Sequence, residues 1–82
     1  MTQPFSRLVI DYGGMQIHDA RHDLRVVLIG QPPPGLRSCL LAQGFRRLPD
    51  DPTIYSRAAS PDAIFNVQVI GRHFFPTTER DS

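Results

Sequence analysis

The sequence predicts an α+β fold: one small antiparallel sheet of about five strands in the order β-β-β-α-β-β, a short helix packed on it, and a C-terminal segment that is helix or strand. Three observations carry this. A glycine pair separates two stretches of strand character, Phe5–Asp11 and the run beginning at Met15. The stretch Arg25–Arg57 reads as an apolar strand, a proline-stiffened connector, a helix stopped by glycine, and a tight hairpin. Finally, 82 residues have room for one helix-on-sheet layer around one core, so residues 1–82 are expected to form a single domain.

Leu8, Val9, Ile10 and Tyr12 are strand formers, and Gly13-Gly14 supplies the positive φ that a tight turn needs. On the return, Met15 and Ile17 alternate with Gln16 and His18. Leu8, Ile10, Met15 and Ile17 are the expected core face of this hairpin. The segment from His18 to Asp23 reads as a solvated turn whose aspartates offset Arg21 and Arg25. His18 and His22 have the i, i+4 spacing of metal ligands on a helix, yet no helical pattern surrounds them and the HExxH glutamate is absent, so no metal site is expected. Arg25–Gly30 is the most apolar strand. Its unbroken Val26-Val27-Leu28-Ile29 predicts a central strand covered on both faces, or nearly so.

Pro32-Pro33-Pro34 lies between that strand and a helix, where proline starts the helix rather than serving as a polyproline ligand. The helix is expected over Pro34–Gln43, with Leu36, Cys39 and Leu40 toward the sheet and Arg37 and Gln43 outward. Gly44 stands where a left-handed C-cap is wanted, with Phe45 folded back behind it. Phe45–Leu48 and Thr53–Arg57 form a second hairpin around Pro49-Asp50-Asp51-Pro52, gathering Arg46, Arg47, Arg57 and Tyr55. Ser60, Pro61 and Asp62 are successive helix-start signals, and Ala63, Ile64, Val67, Ile70 and Phe74 fit one helical face. Against this, Phe65 to Val69 alternates as a strand would; helix is the reading taken. Phe74-Phe75-Pro76 is expected to tuck an apolar end under the sheet, and residues 76–82 to fray.

All nine basic residues are Arg, and the formal net charge is only +1. The arginine bias matches codon usage in a GC-rich genome and also suits planar contacts to carboxylate or phosphate. The small net charge argues against bulk electrostatic capture of nucleic acid. Cys39 is the only cysteine, which excludes an internal disulfide and a cysteine-based zinc site and points to a reducing cytoplasm. The opening MTQPFSRLVIDY has neither a basic nor an apolar leader region, and no apolar run reaches membrane-spanning length, so neither secretion nor membrane insertion is expected. His18, His22, His73 and the aspartates are not spaced to join a nucleophile, a base and an oxyanion donor. The expectation is a protein that is not an enzyme and has no cofactor.

Gly44, Phe45 and Arg46, then Arg57 and Ser60, carry a resemblance. Leu36–Ala63 resembles a small module common in phage, plasmid and antirestriction-associated proteins: a short helix, Gly-Phe-Arg-Trp, a turn, Trp-x-Arg, and a Ser- or Thr-led helix. Arg47 and Tyr55 stand where that module has tryptophan. In size the chain resembles the anti-CRISPR inhibitor proteins. The resemblance implies a non-enzymatic inhibitor that binds a bacterial CRISPR effector complex and blocks target DNA by occlusion, as a monomer or weak dimer. The expected partner-binding residues are Arg37, Arg46, Arg47, Tyr55 and Arg57, since arginine and tyrosine dominate interface hot spots. The alternative is a nucleic-acid module of a phage or mobile element, with the same arginines on phosphates and Tyr55 or Phe45 stacking on a base.

Overall fold

In the computed structural model, which describes residues 7–76, five strands form one antiparallel sheet. They are β1 (Arg7–Asp11), β2 (Met15–Ala20), β3 (Asp23–Leu28), β4 (Arg46–Arg47) and β5 (Ile54–Ala58), in the spatial order β1-β2-β3-β5-β4. Helix α1 (Leu36–Ala42) joins β3 to β4, and α2 (Pro61–Phe74) follows β5. The expected α+β fold and strand order are what the structure has.

The first two hairpins use two-residue loops. Gly13 has φ 89°, which fits the first position of a II′ turn, and Tyr12 N–H donates to the Met15 carbonyl at 2.8 Å. The second loop is Arg21-His22 alone, so His18 and Asp19 belong to β2 rather than to a long solvated turn. Arg21 there takes φ 59°, unusual for a residue with a side chain.

Leu8 departs from the expected core face. Ile10 pairs with Ile17, whereas Leu8 pairs with His18, so Val9 is an extra residue in β1. Such a bulge reverses which face the preceding residue occupies. Leu8 is therefore 48% exposed while Met15 and Ile17 are fully buried.

β3 is central, but among the described residues only one of its faces is covered by helices. Leu24, Val26 and Leu28 are buried, and Asp23, Arg25 and Val27 between them are half-buried. Both helices pack on the same side, where one core joins Leu24, Val26 and Leu28 to Leu36 and Leu40 of α1 and to Ala63, Val67 and Ile70 of α2. The apolar run reads as doubly covered because Val27 and Ile29 are hydrophobic; Ile29 in fact lies beyond the strand and is exposed.

The prolines end one residue before the helix's N-cap, so α1 starts later than expected. Leu36 N–H donates to the Pro33 carbonyl at 3.2 Å and Gly35 has φ 89° and ψ −16°, a type II turn with proline and glycine in their favoured places. The helix ends in a Schellman motif: Phe45 N–H bonds Leu40 O and Gly44 N–H bonds Leu41 O, both at 3.0 Å, with Gly44 at φ 88°. Phe45 is thereby folded back into the core.

α2 is a helix throughout the segment where strand alternation competed. Ser60 Oγ accepts the Ala63 N–H at 3.1 Å, Pro61 takes the first position, and Asp62 lies in the first turn. Tyr12 lies against the α2 backbone at Gly71, where an added Cβ would stand 2.5 Å from Tyr12 Cζ. Phe75 packs beside Tyr12 with ring centroids 6.5 Å apart. The apolar end thus closes over the first hairpin, as expected, through Phe75 and Gly14. Of the tail expected to fray, 76–82, Pro76 is described and exposed, and 77–82 lies outside the described residues.

Candidate functional site

Antiparallel pairing puts partnered residues on the same face of a sheet. Followed across this sheet, the pairings Leu8–His18, His18–Arg25, Arg25–Ser56 and Ser56–Arg46 form one transverse row. The row lies on the face opposite the helices, and among the described residues no element covers it. Arg25 and Arg46 are two strands apart, about 10 Å at the backbone, so one extended ligand could engage both. A second row beside it holds Gln16, Val27 and Ile54, giving the cations an apolar flank.

Two polar atoms in the first row are buried without a partner, His18 Nδ1 and Arg25 Nε. The other imidazole nitrogen is engaged: His18 Nε2 lies 3.0 Å from Gln16 Oε1, and Gln16 Nε2 donates to Asp11 Oδ2 at 3.3 Å. Because the carboxylate can only accept, this chain assigns the Gln16 oxygen as acceptor for His18 Nε2–H. In the neutral ring Nδ1 then carries the lone pair. Both atoms are shielded from solvent, so a ligand would reach them only if these side chains moved; what the row offers at its surface is the remainder of the half-buried Arg25 and His18 side chains.

The expected partner-binding residues do not form one patch. Arg46 is exposed on the uncovered face, opposite Ser56. Arg47 is exposed at the rim of the helix-covered face, opposite Tyr55. Tyr55 itself is 2% exposed and belongs to the core, so its ring is not available to a partner; the alternation that turns Arg57 and Tyr55 to the same face turns both inward. Arg57 donates from Nη1 to the Gln43 carbonyl at 2.6 Å and from Nε to its neighbour Ala58. It is a half-buried cation at the C-terminus of α1, and folding accounts for it. Arg37 is exposed on the first turn of α1, beside an open bowl of about 520 Å³ formed by the proline connector.

Asp51, a candidate ion-pair partner for Arg46 and Arg47, is engaged elsewhere. Its Oδ1 accepts from Thr53 Oγ1 at 2.6 Å and from Thr53 N–H at 3.0 Å. These two bonds, the hydroxyl first, hold its carboxyl below the usual carboxylate range. Among the described residues, no hydrogen bond or ion pair engages the side chain of Arg46 or Arg47.

Sequence reasoning missed His18 and Arg25 as surface groups of one site. Alternation alone places each on the face opposite its apolar neighbours; only strand register brings them together with Arg46. Groups of His, Cys, Asp and Glu able to hold a metal are absent among the described residues. Among the described residues, no helix is long and apolar enough to cross a membrane. The arrangement is a set of cationic and hydrogen-bonding groups on a rigid sheet, suited to binding a carboxylate-bearing or phosphate-bearing surface. Compared with protein-family models, curated proteins and solved structures, the chain has no match.

Proposed function

We propose that this protein is a non-enzymatic inhibitor that docks on a protein complex of a bacterial defence system, a CRISPR effector, and blocks target DNA by occlusion. It acts in the cytoplasm of the bacterial host. The observation that carries the docking role is the pair Arg46 and Arg47, held on an edge strand by the C-cap of α1 and engaged by no acid of their own turn. The resemblance of Leu36–Ala63 to antirestriction-associated modules supports the choice of partner. Arg25 and His18 extend the contact surface across the uncovered sheet face, and the apolar flank of Val27 and Ile54 suits a protein surface better than a phosphate backbone.

A second reading, direct nucleic-acid binding, draws on the same row of cations. It is the weaker one because Tyr12, Phe45 and Tyr55 are all in the core, which leaves no Phe or Tyr ring on the uncovered face among the described residues. The test adds the protein to a panel of purified effector complexes and measures their binding to target DNA. The proposed function requires loss of target binding by at least one complex, and recovery when Arg25, Arg46 and Arg47 are changed to Glu. If no effector is inhibited, and the protein instead shifts plain DNA with strong salt dependence, the second reading replaces the first.

A further inference from the structure

α2 buries Ala63, Val67, Ile70 and Gly71. At 3.6 residues per turn, the side directly opposite is centred on Phe65 and Val69, with Asp62 at its N-terminal end and Arg72 at its C-terminal end. A helix lying on a sheet normally carries polar residues there. Here Phe65 is 65% exposed and Val69 49%. Folding the single chain gives no reason for this.

Asp62, Phe65, Val69 and Arg72 are spaced three, four and three apart, the spacing of a helix–helix seam. They are also symmetric about Val67. A two-fold axis across the helix at that point sets Phe65 against Val69 of a second copy, and Asp62 against its Arg72. The surface is therefore complementary to itself in shape class and in charge, the requirement of an isologous interface. Antiparallel pairing also sets the helix dipoles head to tail.

We propose that this face binds a second copy of the chain, forming a two-fold dimer with antiparallel α2 helices. A 14-residue helix is only about 21 Å long. Two such helices bury less than the roughly 1,200 Å² of a standard interface, so the dimer is weak, with a dissociation constant of about 0.1–1 mM. The dimer face is separate from the uncovered sheet face and does not depend on the proposed function.

Sedimentation equilibrium of the full chain, from about 10 µM to about 2 mM, tests this. The mass is expected to rise from 9.2 kDa toward twice that value. Phe65→Asp should remain at 9.2 kDa throughout, with an unchanged thermal midpoint. Asp62→Arg and Arg72→Asp should each weaken association about tenfold, and the double exchange should recover most of that loss. A chain that stays monomeric over the whole range overturns the proposal. So does a Phe65→Asp variant that associates like the parent, or a double exchange no tighter than either single change.

Discussion

Arg57 reaches the carbonyl that ends α1, whereas Arg46 and Arg47, one strand away, reach nothing within the described chain. The same residue type therefore has two different roles, and the difference can be measured. Arg57→Met should lower unfolding stability by about 1–2 kcal/mol, because it removes a charged hydrogen bond from a half-buried helix end. Arg46→Glu with Arg47→Glu should stay within about 0.5 kcal/mol of the parent. Urea denaturation of the two variants separates them, and equal losses would contradict this division. Asp51 makes a pH prediction. Hydrogen bonds from Thr53 depress its carboxyl in the folded state, so its stabilising contribution is present above the ordinary carboxylate value and lost as pH falls through the folded one. A carbon-detected NMR titration should find the Asp51 carboxyl below the ordinary carboxylate value, and Thr53→Val, which removes the hydroxyl bond and keeps the backbone one, should raise it part of the way back. Asp51 titrating unchanged in that variant would assign the shift to another cause.

At the scale of the element, α2 carries the competition between local pattern and packing. Phe65, Val67 and Val69 alternate as a strand would, because apolar side chains stand on both sides of this helix: Val67 in the core, Phe65 and Val69 in solvent. The start signals decide the outcome, and Ser60→Ala should cost about 1 kcal/mol through the lost cap. Gly71 tests packing against propensity. Alanine there gains about 1 kcal/mol of helix propensity, but its Cβ would stand 2.5 Å from the Tyr12 ring. Tyr12 is buried and cannot swing away freely, so overpacking of up to about 3 kcal/mol should win and Gly71→Ala should be destabilising by a net 1–2 kcal/mol, on the order expected from those two terms. A variant more stable than the parent would mean that Tyr12 yields at little cost.

At the scale of the molecule, both helices lie on one side of a sheet whose other side is covered by no element among the described residues, which makes the two faces unequal in energy. Leu24→Ala should cost about 2–5 kcal/mol, and Leu8→Ala, two strands away on the opposite face, about 0.5 kcal/mol or less; thermal and urea unfolding compare them directly. The element order along the chain, the Gly13-Gly14 turn, the C-cap at Gly44 and the inward set of Leu36, Leu40, Val67 and Ile70 were all legible in the sequence, because each follows from interactions among residues near one another. The side on which Leu8 lies was not legible, because a one-residue bulge at Val9 leaves no mark on composition or alternation. Nor was the fate of Tyr55, since alternation says that Tyr55 and Arg57 share a face but not which face the helices choose. By itself, then, the sequence determined the elements and their caps, through local sterics and hydrogen bonding. Only the tertiary structure decided which arginines remain at the surface and which groups meet across strands. Strand register and the choice of covered face are set by the burial of the whole core at once, and no window of sequence contains that sum.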